Sequence, residues 1–277
     1  MSEKSAGPDR TEVITDPAQL RTPLLQRILN LMREKYDPEF VFRGLGTIPW
    51  AEPPSDLSRA RIALVTTACL HLKGDIPFRV FEEKWGDPSF RLIPHGTPVG
   101  DLDLAAEYVD EKYLVHDTEV ALPMNALDAL VQEGLVGSAA PRHASFAEGV
   151  ARPYPGLAES AARVRAEFAA DGVDGAVILP TCSLCVQSVC VIAREIELGG
   201  MPTVCISYLP ELTEILGAPR SLTVRFPFGA PCGNPGNGEL HRAVLREALL
   251  LLREAKEPGA MAASAHAWRE SDPAARS

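Results

Sequence analysis

Short apolar runs alternate with amphipathic stretches along most of this chain. "RIALVTTACLHL" (Arg61 to Leu72) begins as a compact, β-branched apolar run, the pattern of a strand buried on both faces. "DGAVILPT", "MPTVCISYLP" and "PRSLTVRFPFG" repeat that pattern later in the chain. Between them lie helical periodicities. Asp16 to Tyr36 places Leu24, Leu25, Ile28 and Leu31 on one face. Met124 to Gly134 carries Leu127, Leu130 and Val131 as its stripe, with Asn125 as the expected N-cap and Gly134 as the stop. Leu157 to Gly172, Val186 to Gly200 and Glu239 to Ala255 complete the helices, the last starting from Asn237 or Gly238. "TIPWAEPPSDLS" is a proline-rich connection, and "AAEYVDEKYLVH" fits helix or strand equally well.

Strand and helix alternating at this spacing predict βαβ units and largely parallel sheets. The expected architecture is α/β, with two similar Rossmann-like halves facing a common cleft. Residues 1–57 form an N-terminal lead and helix, 58–155 a first α/β half, 156–256 a second, and 257–277 a flexible tail. In parallel sheets, ligands gather beyond the carboxyl ends of the strands. "TTACLH" follows the first buried strand, and "PTCSLC" follows a strand of the second half.

Bulk composition narrows the function. The 277 residues are 46% hydrophobic and carry a net charge of −10, which gives no electrostatic support to nucleic-acid or anionic-membrane binding. No apolar stretch approaches the roughly 20 residues that span a bilayer. The opening "MSEKSAGPDRTEV" lacks a signal-peptide apolar region, so a cytoplasmic location is expected. Six cysteines in a reducing compartment would be free, reactive or metal-bound.

Three of those cysteines fall in "TCSLCVQSVC". Cys182 ends a strand just before a helix, where free backbone N–H groups and the helix dipole favour a thiolate, the nucleophilic form. Cys185 lies about one helical turn on, close enough to attack an adduct or mixed disulfide on Cys182. Cys190, among Val189, Val191 and Ile192, fits a small buried hydrophobe, as does Cys205 in its strand. Cys69 fits packing and cleft-lining equally. Cys232 with His241 would be needed to complete a zinc site, since no second Cys-x-x-Cys pair exists. "GNPGNG" lacks the Lys-Ser/Thr of a phosphate loop. Arg142 and His143 form a pair suited to holding a carboxylate and moving a proton. His71 and His116 are further cleft candidates, while His95 reads as a loop residue.

Taken in order, "ARIALVTTACLHL", "GDPSFRLIP", "ALPMNALDALVQEGLVGSAAPRHASF", "DGAVILPTCSLC" and "AREIELGGMPTVCIS" resemble the selenoprotein B family of glycine, sarcosine and betaine reductases, together with the related D-proline reductase subunit. The resemblance runs over roughly residues 58–230. It implies reductive cleavage of a carbon–nitrogen bond, in which a selenolate at the strand end attacks carbon and a neighbouring cysteine resolves the product. Carried over, Cys182 takes the selenocysteine position and Cys185 the resolving one, although members differ in which position of the pair bears selenium. A separate subunit with a pyruvoyl group activates the amine in several members.

The expected function is therefore a thiol-dependent reductase acting on a small, carboxylate-bearing, amino-acid-like substrate. No cofactor is expected on this chain. An external dithiol, such as a thioredoxin-like protein, would rereduce the pair, and a partner subunit or a second copy would complete the assembly. Two other classes stay open. One is a non-redox racemase or lyase using Cys69 and Cys182 as an acid/base pair. The other is a non-catalytic subunit of a reductase complex.

Overall fold

The computed structural model describes residues 13–80, 82–105 and 111–268. The strands are β1 (Val13–Ile14), β2 (Phe42–Arg43), β3 (Arg61–Thr66), β4 (Leu70–Leu72), β5 (Phe90–Pro94), β6 (Leu102–Leu104), β7 (Ser138–Ala139), β8 (Arg142–Phe146), β9 (Gly175–Leu179), β10 (Thr203–Ser207), β11 (Arg220–Arg225) and β12 (Ala260–Ala267). The helices are α1 (Pro23–Lys35), α2 (Glu111–Leu114), α3 (Met124–Gln132), α4 (Gly156–Ala170), α5 (Cys185–Glu197), α6 (Pro210–Leu216) and α7 (Gly238–Glu254).

Eight strands make one sheet, in the order β12-β11-β10-β9-β3-β8-β5, with β7 beside β3. Only β5 runs antiparallel to its neighbour. The fold is α/β and mainly parallel, as the alternation predicts. The expectation of two sheets facing a cleft is not met. β3, from the first segment, is hydrogen-bonded directly to β9, from the second, so both segments build one continuous sheet.

Alternation along each central strand sorts the core into two layers. Ala63, Val65, Ala176 and Ile178 point to the face covered by α1, α4, α5 and α6. Ile62, Leu64, Val177 and Leu179 point to the face covered by α3 and α7. Helices on both faces explain why β3, β9 and β10 read as unbroken apolar runs.

Three local expectations need correction. Helix α1 begins at Pro23, because Asp16 caps a separate turn, Pro17–Gln19. Asn125 is not the cap of α3. The helix starts at Met124, and the Glu119 carboxylate accepts the backbone N–H of Asn125 (2.9 Å) and Ala126 (3.2 Å). Residues 260–267, placed in the tail by their Ala- and Ser-rich composition, form β12 instead, parallel to β11. Asn237 caps α7 as expected, accepting the Leu240 N–H at 3.1 Å. Of the ambiguous "AAEYVDEKYLVH", Glu111–Leu114 is helical, and residues 106–110 lie outside the described part. Among the described residues, no helix is long and apolar enough to cross a membrane.

Candidate functional site

Chain order reverses direction at β3, which has β9 on one side and β8 on the other. Loops leaving the carboxyl ends of β3, β8 and β9 therefore meet over one point of the sheet, the usual place for a ligand site. Hydrogen bonds lock them together. Thr67 N–H donates to Leu179 O at 3.1 Å, and Cys69 N–H donates to Phe146 O at 3.0 Å. Thr181 N–H donates to Thr67 Oγ1 at 3.1 Å, and Thr181 Oγ1 donates to Thr67 O at 2.9 Å. The backbone that carries Cys182 is thereby fixed by β3.

Cys182 and Cys185 are brought together on that support. Their sulfurs are in close contact, and their Cα atoms are 4.9 Å apart, within the range a disulfide spans. Cys185 opens α5, and its backbone N–H donates to Cys182 Sγ at 3.1 Å. A helix N-terminus thus faces this sulfur, favouring its anionic form. Thr181 Oγ1 lies 3.6 Å from Cys185 Sγ. Cys185 is fully buried, whereas Cys182 is 7% exposed and lines a cavity of about 170 Å³. The same cavity is lined by Met32, Val80, Gly86, Glu148 and Leu184. Gly86, at φ 88°, closes one side, because a Cβ there would come within 2.7 Å of Val150 Cα.

The other cysteines differ in kind. Burial pushes Cys190 up to about 12, and it pushes Cys205 and Cys232 well above the ordinary thiol range. Cys69 is also raised, by burial and by the nearby Glu148 carboxylate. Its φ of 56° is left-handed, a conformation that costs a non-glycine residue of order 1–3 kcal/mol. The Cys69 sulfur accepts the Glu148 N–H at 3.1 Å, so it braces the loop after β8. A buried, protonated thiol held in this way is poorly placed to act as a base. Cys232 lies in the core layer on the opposite face of the sheet from Cys182 and Cys185. His241, the other candidate zinc ligand, has its Nε2 2.8 Å from Asn234 O. Among the described residues, no three His, Cys, Asp or Glu side chains are grouped to hold a metal.

The Arg142–His143 pair is not brought to Cys182. Arg142 begins β8, at the amino edge of the sheet, and makes a bidentate contact to Asp171 at 2.8 Å and a 3.0 Å ion pair with Glu167. β8 aligns Ser145 with Thr66, which aligns with Leu179. Arg142 lies three residues before that level, about 10 Å back along β8, whereas Cys182 lies beyond the carboxyl end of β9, so the two are at opposite edges of the sheet. His143 is buried within the layer on the α3 face. Leu64 N–H donates to its Nδ1 at 3.1 Å, its Nε2 lies 2.8 Å from His95 Nδ1, and His95 Nε2 lies 2.9 Å from Asp128 Oδ1. His71 is buried on β4, with its Nδ1 3.0 Å from Leu72 O. His116 is exposed on a turn.

Sequence reasoning missed Glu148, the Thr67–Thr181 clamp and the role of His95. His95 had no legible signal, since its approach to His143 follows from the antiparallel pairing of β5 with β8, in which Ile93 aligns with His143. Glu148 had none, because only the approach of the loops after β8 and β9 puts it in the wall of the cavity that Cys182 lines.

The chain matches no established protein-family model, and no solved structure matches it. It is similar to curated subunits of amino-acid reductases. The gamma subunit of D-proline reductase from Acetoanaerobium sticklandii is 29% identical over 210 residues, covering 76% of this chain and 85% of the relative. The gamma subunit of glycine reductase complex component B from Peptoclostridium acidaminophilum is 25% identical over 233 residues, covering 82% of this chain and 52% of the relative. The beta subunit of betaine reductase complex component B from the same organism is 25% identical over 241 residues, with 81% and 52% covered. The chain spans about half the length of these component B subunits. It is homologous to the D-proline reductase gamma subunit and to component B subunits of the glycine, betaine and sarcosine reductases.

Proposed function

We propose that this chain is the sulfur-bearing subunit of a reductase that cleaves a carbon–nitrogen bond in a small amino-acid-like substrate. The observation that carries the reading is the Cys182–Cys185 pair, seated at the start of α5 and open to a cavity at the carboxyl edge of the sheet. In the first step the Cys182 thiolate attacks the carbon bearing nitrogen. A carbon–sulfur bond forms, and the amine departs with the bonding pair and takes up a proton. The Cys185 thiolate then attacks the Cys182 sulfur. A sulfur–sulfur bond forms, and the carbon leaves with its electron pair and is protonated. Two electrons pass from the dithiol to the substrate, so an external dithiol, such as that of a thioredoxin-like protein, must restore the pair. The curated relatives are named as subunits of complexes, which supports a partner subunit here. Activation of the amine by a pyruvoyl group would belong to that partner.

The test is turnover of the reduced chain together with its captured partner subunit, followed by dithiol consumption. Cys182→Ser should lower the rate by at least ~10³-fold. Cys185→Ser should stall after the first step and leave a substrate-derived mass on the Cys182 peptide. Full activity in the Cys182→Ser protein would sink the proposal.

A further inference from the structure

Cys185 has the harder of the two sulfur roles. It must be a thiolate when it attacks the Cys182 sulfur, and it is left as a thiolate when an external dithiol reopens the pair. Yet it is fully buried within an apolar layer, where an anion is disfavoured. Its backbone N–H is directed at Cys182 Sγ, so that donor serves the other sulfur. Among the described residues, Cys185 Sγ shares one side-chain hydrogen bond, with Thr181 Oγ1 at 3.6 Å. Thr181 is itself fully buried and pinned from two sides. Its N–H donates to Thr67 Oγ1 at 3.1 Å, and its carbonyl accepts the Gly229 N–H at 2.6 Å. The hydroxyl oxygen therefore keeps its place while its proton is free to turn. That proton has two acceptors in reach, Thr67 O at 2.9 Å and Cys185 Sγ. A disulfide or thiol sulfur is a weak acceptor, so the carbonyl holds the proton in those states. A thiolate carries full charge and makes the stronger bond. When the proton turns, Thr67 Oγ1, 3.3 Å away, can donate to Thr181 Oγ1 and extend the chain.

We propose that Thr181 is a catalytic residue whose hydroxyl turns from the Thr67 carbonyl to the Cys185 sulfur whenever that sulfur is a thiolate. The proposal rests on the reading of Cys182 as nucleophile and Cys185 as resolving thiol. Thr181 keeps its proton throughout. In turnover the Cys185 thiolate forms the bond to the Cys182 sulfur, and the substrate carbon leaves with its electron pair. In rereduction a thiolate of the external dithiol attacks the sulfur of Cys182, which lines the cavity, and the bond to Cys185 breaks. Cys185 takes the electron pair, and the Thr181 hydroxyl meets the charge. The second thiolate of the dithiol then attacks its own first sulfur and frees Cys182, so the dithiol is oxidised and the pair reduced. One hydroxyl thus stabilises the same buried anion in both directions.

The test needs no knowledge of the substrate. The reduced full-length chain is mixed with dithiodipyridine, a neutral disulfide that releases a coloured thiopyridone. The first release, as Cys182 attacks the reagent, scales with reagent concentration. The second, as Cys185 attacks the mixed disulfide on Cys182, does not, and its rate against pH follows the ionisation of Cys185. The other four cysteines are buried, and peptide mass checks that they stay unlabelled. Thr181→Val should move the midpoint of the second release up by about one to two pH units, the worth of a hydrogen bond to a charged group. A less stabilised thiolate is also the better nucleophile, so the second release should be about three- to tenfold slower than the parent's below the midpoint and faster above it. The first release should keep its rate, and Thr181→Ser, which restores the hydroxyl, should overlay the parent. A second release unchanged in Thr181→Val, one slowed equally at every pH, or a shift that Thr181→Ser does not reverse would each overturn the proposal.

Should Thr181→Val disturb the fold or alter the first release, the parent's own profile decides. Its midpoint for the second release should lie within about one unit of the ordinary thiol value of about 8.5. A midpoint above that window, toward the value of about 12 to which burial pushes Cys190, would overturn the proposal. Absence of the first release would instead remove the reading of Cys182 as nucleophile, and a first release without a second would remove that of Cys185 as resolving thiol. In either case the role of Thr181 falls with it.

Discussion

His143 illustrates how much a single buried side chain sets. The Leu64 N–H donates to its Nδ1, so the ring proton must sit on Nε2 and be donated to His95, which in turn donates from Nε2 to Asp128. Burial, reinforced by His95, lowers the His143 pKa to about 3. In the unfolded chain the same imidazole titrates near its ordinary value of about 6.5. On acidification the unfolded chain takes up this proton first, so the stability His143 contributes is complete above about pH 6.5 and drains away toward pH 3. Between pH 6.5 and 4.5 the loss is about 2 kcal/mol. Glu119 acts with the opposite sign. Burial raises it to about 7, so the folded chain keeps its proton through a window in which the unfolded chain has lost it, and acidification from pH 7 to 4.5 favours folding. Urea titrations at pH 6.5 and 4.5 should therefore show a smaller loss of stability on acidification in His143→Gln than in the parent chain. An equal loss in both would contradict the assignment. None of this relay was legible in "APRHASF", because it depends on cross-strand pairing and on α3. Cys182 and Cys185 were legible for the converse reason, since a strand end, two thiols and a helix start follow one another within a few residues.

At the scale of elements, the sequence conveys what is local and loses what is supplied from a distance. β3, β9 and β10 were readable because a strand covered on both faces needs an uninterrupted apolar run. Helix starts were less so. The first turn of α3 contains no side chain that caps it, and its free N–H groups are met by Glu119, which lies before the helix and is itself presented by the 3₁₀ turn at Thr118–Val120. Asn125 looked like the cap because its residue type is right, but it sits one position inside the helix. Glu119→Ala should destabilise the chain by about 1 kcal/mol, as loss of an N-cap does. Glu119→Gln, which keeps an acceptor oxygen, should cost less. Hydrogen exchange gives the sharper readout, because the amides of Asn125 and Ala126 should exchange faster in Glu119→Ala while those at the end of α3 do not change. Unchanged protection at these two amides would show that the cap lies elsewhere.

At the scale of the whole molecule, one sheet replaces the two that strand–helix alternation suggested, because the pairing of β3 with β9 is a long-range choice that periodicity does not encode. The same limit hid β12. "AMAASAHA" lacks the β-branched and aromatic residues that mark strands, and its place is set by its surroundings. β11 offers an unpaired edge, and α7 presents Glu247, which accepts from Ser264 Oγ and from the Ala265 N–H at 3.0 Å. The strand thereby covers an edge that would otherwise invite pairing with other chains. A chain stopped after Gly259 should bare the β11 backbone from Arg220 to Arg225, melt roughly 5–10 °C lower and scatter light on concentration. The candidate site should be spared. β12 is separated from β9 by β11 and β10, and Cys182 is held by Thr67 and Thr181 rather than by anything at that edge. Labelling of Cys182 by a neutral thiol reagent below the melting transition should therefore proceed at the full-length rate. An unchanged melting temperature would mean that β12 contributes no stability, and a slowed Cys182 would mean that the edge and the site are coupled through the sheet.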